Sequence, residues 1–548
     1  MRSLLIKYNY LLFLVILFFI AELLVRPFGN FPLNDDWSYA KSVLILVNDA
    51  RLDIGYWPAM TLATHIVWGA LFVKVFGFSF LVLRISTLVS AIICLFALYS
   101  LILKISRDKI IAFISSLTLL FNPIFFNMSN TFMTDVNFLT LFLLCAYLAY
   151  DFFVEDKLSS FFLVFVLSTL LVLLRQYGIV VPAAMVISCL FLKKKKLFYF
   201  GVALVFTLLI FAIFMWYERY LRTILPVGSS YKFSGNFNPG TRVFWDSLYY
   251  GITTRYKIVG IHALFYTFPL VAVWLMDSVR TQAKMAVIFI SVPVFCLVYY
   301  LFKDYPLQVG NVFEDAGVGA DTFYETQKGT FIEHKHNYSA SFFSIVTPLK
   351  YVLISLSLIL IIFFLKKIRN IKRGPVTKHP EIIFLTTLFI AYLVMILITE
   401  SFFDRYQLPV IALSLILFAY FQKVFKPAYW LSLVPLLGLF YISVFGTRDY
   451  FTVNNKKWEA YHYLCEEKKV DGGKINGGFE IIWWDDGKDS RWHNSVELRG
   501  YEYLIQFKSE DDFELFKEYP FQKYFPFKKD TLRIFKRKPH PTEIHHAY

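Results

Sequence analysis

From its first residues to about position 446 the chain alternates between long apolar runs and short polar breaks. A helix needs about 20 apolar residues to cross the hydrocarbon core of a bilayer. Such runs begin near residues 8, 84, 110, 133, 158, 177, 197, 258, 285, 347, 381, 407 and 428, which predicts about 13 transmembrane helices. Residues 61–78 are also fairly apolar, but His65 and Lys74 lie within them, and we read a re-entrant or interfacial helix there. The first run follows Arg2 and Lys7, and no small-residue cleavage site succeeds it. It reads as an uncleaved first span. After Gly446 the pattern changes. An amphipathic helical stretch lies near Lys457 to Glu467, and strand-like runs lie at 479–484, 503–507 and 531–535, with glycine pairs at 472–473 and 477–478. The predicted fold is an α-helical polytopic membrane protein: a transmembrane domain over 1–446, then a small soluble α/β domain over 447–548.

Composition agrees. Hydrophobic residues make up 57% of the 548 positions and charged residues only 17%, against roughly 45–50% and 25% in soluble domains. The net charge of +15 could suggest nucleic acid, but the lysines and arginines lie mostly in short runs between apolar spans. That is the positive-inside pattern, and it excludes the nucleic-acid reading. Basic runs follow the even-numbered spans, at Lys104 to Lys109, Lys193 to Lys196, Arg280 to Lys284, Lys366 to Lys378 and Lys423 to Lys426. This parity predicts a cytoplasmic N-terminus, outer loops over 26–83, 218–257 and 303–345, and a C-terminal domain on the same outer side. Four of the five cysteines lie inside apolar spans and show no pairing pattern.

With the outer face defined, charges from distant parts of the chain gather on it. Asp35 and Asp36 lie in the first outer loop. Arg84 opens span two, Asp135 opens span four, and Arg175-Gln176 ends span five. Arg255 and Lys257 enter span eight, while Glu400, Asp404, Arg405 and Tyr406 lie between spans eleven and twelve. Charges near membrane depth are expensive and usually functional. Carboxylates alone would suit a cation path, and arginines alone an anion site. Together they suit an anionic donor reacting with a hydroxyl acceptor. Arginine grips phosphate with forked hydrogen bonds, and a carboxylate can take the acceptor's proton. The structural alternatives are helix caps for Asp35, Asp36 and Asp135, and headgroup snorkelling for Arg84, Arg175 and Arg405. His334 and His336 flank Lys335 and leave a divalent metal open, although His-x-His is common by chance. No glycine-rich phosphate loop supports a cytosolic nucleotide donor.

Four motifs in order carry a family resemblance. They are Asn34-Asp35-Asp36-Trp37-Ser38-Tyr39, Val75-Phe76-Gly77 leading to Leu83-Arg84, Met133-Thr134-Asp135-Val136-Asn137, and Arg405-Tyr406-Gln407-Leu408-Pro409. On these the chain resembles the GT-C membrane glycosyltransferases, in particular the branch of protein O-mannosyltransferases and the lipid A aminoarabinose transferase. The resemblance covers about residues 1 to 445. It implies inverting transfer of a sugar from a polyprenyl-phosphate carrier to a hydroxyl on a lipid, glycan or protein. It also implies Asp35 as general base, Asp36 and Asp135 as further acidic site residues, and Arg84, Arg175, Arg405 and Tyr406 on the donor-phosphate side. Asp36 stands where relatives usually have Glu, Asn137 where Pro is common, Arg175-Gln176 where Thr-Lys is frequent, and Tyr56-Trp57-Pro58-Ala59 where a His-Pro-Pro pattern is frequent. The tail differs from the sugar-binding repeats of eukaryotic protein mannosyltransferases, which favours a bacterial inner membrane with a periplasmic tail. The alternative is a transporter or flippase of lipid-linked sugars, which would show mid-span charges or broken helices in paired halves.

Overall fold

The computed structural model describes residues 2–55, 57–225, 240–274, 291, 293–300, 311–314, 317–319, 351–359, 362, 379–399, 402–421, 427–485, 500–525 and 527–539. Helices stand at eleven of the expected spans: α1 (Arg2–Val25), then after two shorter helices, α2 (Asp36–Asp49) and α3 (Ala63–Phe76), come α4 (Phe80–Ser106), α5 (Lys109–Leu120) with α6 (Pro123–Ser129), and α7 (Thr134–Glu155). They continue through α8 (Leu158–Leu174), α9 (Val180–Cys189) and α10 (Lys196–Ile224). Beyond α11 (Arg242–Tyr250) lie α12 (Tyr256–Ala272), α13 (Pro380–Leu397), α14 (Leu408–Phe421) and α15 (Leu433–His462). The spans expected near 285 and 347 fall largely outside the described residues. Five described helices are long and apolar enough to cross a bilayer, or six if a bent pair counts as one. This is an integral membrane protein.

Local chemistry explains the breaks. Ser79 caps α4 by accepting the Val82 N–H at 3.0 Å, and the helix closes at Arg107, whose backbone is left-handed at φ 59°. Asp108 then caps α5 by accepting the N–H groups of Ile110 and Ile111. Asn122 caps α6 in the same way, with Pro123 at its first position. The chain bends by 68° between α5 and α6 and passes through residues 130–133 into the N-terminus of α7. Helix α3 has 14 residues, about 21 Å at 1.5 Å per residue. That is short of the roughly 30 Å core.

The tail is more continuous with the membrane region than its composition suggests. Helix α15 has 30 residues and runs unbroken through position 446, about 45 Å in all. The amphipathic stretch expected at 457–467 is its last turns plus a π-helical end at Tyr463–Glu467. A four-stranded sheet follows in the order β3-β4-β6-β5, counting β1 (Phe313–Glu314) and β2 (Gly317–Val318) as an earlier hairpin. Strands β3 (Ile475–Asn476) and β4 (Tyr503–Gln506) pair in parallel. Strands β5 (Phe513–Tyr524) and β6 (Phe527–Arg537) form an antiparallel hairpin. The run expected as a strand at 479–484 is instead helix α16 (Phe479–Asp485). The correction has a clear cause. Phe479, Ile482 and Trp483 share one helical face at i, i+3 and i+4, and all three pack on Trp37 and its neighbours. A short apolar run does not reveal its period without that partner.

Gly69 in α3 is required by packing. A Cβ there would lie 2.4 Å from Phe132 and 3.0 Å from Val43. Gly69→Ala is expected to cost ~1–3 kcal/mol by overpacking. A thermal scan in detergent checks this, and an unchanged Tm would show that Phe132 yields without cost.

Candidate active site

The loop before α2 is built around one buried cation. Arg84, 1% exposed, donates to the carbonyls of Gly29 (2.7 Å) and Phe31, and its guanidinium lies over the rings of Phe31 and Phe451. Its hydrogen bonds are thus spent on the backbone that leads to the acidic pair. The chain turns at Asn34, left-handed at φ 54°, and α2 begins at Asp36.

The two aspartates point to different partners. Asp36 is fully buried, and its Oδ1 accepts the Phe132 N–H at 2.9 Å. The same residue, Phe132, is held through its carbonyl by His65. His65 Nε2 donates to the Phe132 carbonyl at 3.0 Å, while its Nδ1 accepts from Asn137 at 2.8 Å. Two hydrogen bonds therefore fix the neutral tautomer. Asn137, which stands where relatives often have Pro, thereby orients His65. Asp35 accepts the indole N–H of Trp57 at 2.8 Å and sits 3.6 Å from Arg405. Burial raises the pKa of both carboxyls above the ordinary range. For Asp35, the charge of Arg405 and the Trp57 hydrogen bond oppose that rise. For Asp36, the Phe132 N–H and then Arg84 oppose it.

Three further residues complete a line of alternating charge. Asp135 lies in the first turn of α7. Arg175 lies where α8 gives way to a 3-10 turn at Gln176–Ile179, and Arg405 lies in the 3-10 turn Asp404–Gln407. Arg405 is 3.6 Å from Asp135, and Arg175 is 2.8 Å from it. Both Asp135 oxygens, Arg175 Nη2 and Arg405 Nε meet as ion pairs without a hydrogen bond among the described residues. Arg175 Nε donates to Thr134 at 2.8 Å. The Tyr406 ring lies 5.1 Å from the Arg175 guanidinium and 5.9 Å from that of Arg405. Asp404 accepts the N–H groups of Val312 (3.0 Å) and Phe313 (2.7 Å), which brings the hairpin of the third outer loop onto the site. Asn311 beside it accepts from both Arg405 and Asn34.

The structure thus brings Asp35, Asp135, Arg175, Arg405 and Tyr406 together. It sets Asp36 and Arg84 just behind them, as anchors of the loop. Arg255 lies apart and donates to the carbonyls of Leu397 and Thr399. Glu400, His334 and His336 lie outside the described residues. Among the described residues, no group of three or more His, Cys, Asp and Glu side chains could hold a metal. Sequence reasoning did not single out Trp57 as a partner of Asp35, nor Asn311, Lys457 or Glu480. Only Trp57 carried a signal, in the stretch Tyr56-Trp57-Pro58-Ala59 that departs from the family pattern.

Residues 66–217 match the family model of the dolichyl-phosphate-mannose-protein mannosyltransferases. The match runs from α3 through α10, and so includes Arg84, Asp135 and Arg175. Over this segment the chain resembles the GT-C membrane glycosyltransferases, as its motifs implied. No curated protein sequence matches the chain. Among solved structures, it is similar to ArnT from Cupriavidus metallidurans bound to undecaprenyl phosphate, at 10% identity and a TM-score of 0.42, covering 90% of this chain and 77% of that one. It is also similar to the archaeal oligosaccharyltransferase AglB from Archaeoglobus fulgidus in complex with an inhibitory peptide and a dolichol-phosphate. That match has 16% identity and a TM-score of 0.44, covering 84% of this chain and 58% of the other.

Removing one member of a buried charge line leaves its partners uncompensated. Asp135→Asn is expected to destabilise the protein by ~3–5 kcal/mol, and the added change Arg175→Met to recover part of that loss. Thermal unfolding of both variants checks the coupling. Additive losses would mean that the two side chains do not interact energetically.

Proposed function

We propose that this protein is an inverting glycosyltransferase of the outer membrane face. It moves a sugar from a polyprenyl-phosphate carrier to a hydroxyl on a lipid, glycan or protein. The observation that carries the assignment of the base is differential access. The side chain of Asp35 is 14% exposed, whereas that of Asp135 is 1% exposed and Asp36 is fully buried. Asp35 is therefore the carboxylate of the three that an acceptor can reach.

In this reading the acceptor O–H gives its proton to Asp35 while its oxygen attacks the anomeric carbon. The carbon–oxygen bond to the carrier breaks, and the phosphate leaves with the bonding pair. Arg405 and Arg175, flanked by the Tyr406 ring, supply the positive charge that stabilises the leaving phosphate. Asp135 sits between the two guanidiniums and keeps the group near neutral before the donor binds. Arg84 and Asp36 hold the loop that carries the base. A cytoplasmic N-terminus and a tail on the opposite side accord with the distribution of basic loops, and the tail's difference from eukaryotic sugar-binding repeats favours a bacterial inner membrane.

The direct test offers purified protein in detergent a panel of polyprenyl-phosphate sugars. Wild type is expected to consume a carrier sugar, and Asp35→Asn to lose about 10²–10⁴-fold in kcat with folding intact. Equal rates would move the base elsewhere. No turnover of any donor would shift the case to lipid-linked sugar flipping, measured in vesicles.

The pH profile gives a second test. A base must be deprotonated, so activity rises with pH through the constant of Asp35. Burial sets that limb above the ordinary aspartate value of about 3.9. The Trp57 indole favours the charged form. Trp57→Phe removes it, and the acid limb of kcat/KM is expected to move to higher pH. A limb that stays in place would detach Trp57 from the titrating group.

A further inference from the structure

The tail sends one carboxylate into the loop that carries Asp35. Glu480 lies in α16, and Lys457 lies near the end of α15. Both side chains are 0% exposed, with Lys457 Nζ 2.8 Å from Glu480 Oε2. A buried ion pair is a poor source of stability, because desolvation offsets most of the attraction. What this pair provides is direction. With Oε2 on Lys457, Glu480 Oε1 accepts the backbone N–H of Asn34 at 3.0 Å. Asn34 is the left-handed residue immediately before Asp35. Its side-chain amide donates to Asn311 Oδ1 at 3.1 Å, and that oxygen also accepts from the Arg405 guanidinium. One residue, held by Glu480, thus borders the base in sequence and reaches the phosphate-side cation through one intermediate.

The same helix grips the loop at two more points. The Trp483 ring stacks on Trp37 at 5.5 Å between centroids and 14° between planes. Lys41 Nζ donates to the Trp483 carbonyl at 2.7 Å. Helix α16 is therefore fitted to the start of α2 through backbone, ring and ammonium contacts.

We infer that Glu480, paired with Lys457, is a positioning residue for Asp35 and Arg405, and that the C-terminal segment serves the reaction through it. This inference rests on the transferase reading above. Two double variants separate its parts. Lys457→Met with Glu480→Gln removes both charges but keeps an acceptor for the Asn34 N–H. Lys457→Met with Glu480→Leu removes both charges and the acceptor. Any role of the ion pair in folding is lost in both, so their difference isolates the hydrogen bond to Asn34.

Two measurements are made on full-length protein. In hydrogen–deuterium exchange, the peptide covering 31–38 is expected to exchange about tenfold faster in the Leu variant than in the Gln variant. In the transfer assay, the Leu variant is expected to fall about 10–100-fold in kcat relative to the Gln variant, with KM within about threefold. Equal exchange would overturn the inference whatever the activity, because Glu480 would not be holding the loop. Faster exchange with equal kcat would also overturn it, because the held loop would not matter to the reaction. A wild type that turns over no donor would sink the transferase reading and, with it, the role in catalysis, and the exchange arm would then report the loop contact alone.

Discussion

The site depends on compensating charge where water is scarce. Asp35, Arg405, Asp135 and Arg175 alternate in sign along one buried line at 3.6, 3.6 and 2.8 Å. At low dielectric an isolated ion of either sign costs several kcal/mol, so none of the four is tolerable alone. The line draws on the first outer loop, the start of α7, the end of α8 and the turn before α14. Each of those elements must arrive at one depth for the charges to cancel. The electrostatic requirement therefore constrains the helix packing as much as the packing places the charges.

Around that line, carbonyls and N–H groups do the positioning. Arg84 gathers the carbonyls of the first loop, Asp36 takes the Phe132 N–H, and Asp404 takes those of Val312 and Phe313. In each case a charged side chain satisfies buried backbone groups that would otherwise be orphaned. The aromatic cluster of Trp37, Trp57, Phe479 and Trp483 packs the start of α2 against α16. Loops from distant parts of the chain are thereby tied together through their backbones.

Much of this could be read from the sequence, for identifiable reasons. Span periodicity and basic loops placed Asp35, Asp135, Arg175 and Arg405 on one face, because membrane thickness converts sequence position into depth. The same logic could not separate Arg84 from Arg175. Both open or close a span at the outer end, and only tertiary structure shows that Arg84 is committed to loop carbonyls. Phe479 to Trp484 read as a strand because five apolar positions, broken only by Glu480, carry no period. Its helix is imposed by the face that packs on Trp37. The break expected at 446 lies within α15, since a polar composition shift does not interrupt a helix whose residues all tolerate helical geometry. The partnership of Glu480 with Asn34 had no local signature at all.

That partnership joins residues 446 positions apart, and it gives the protein a timetable. At about 5–20 residues per second, synthesis of the intervening chain takes roughly 20–90 s. During that interval the acceptor for the Asn34 N–H has not yet been made. The acidic pair waits without its last support until helix α16 arrives. A ribosome that stalls after the final span would release a protein with all its membrane helices and an unfinished site. Completion of the polypeptide is thus read out at the loop before Asp35.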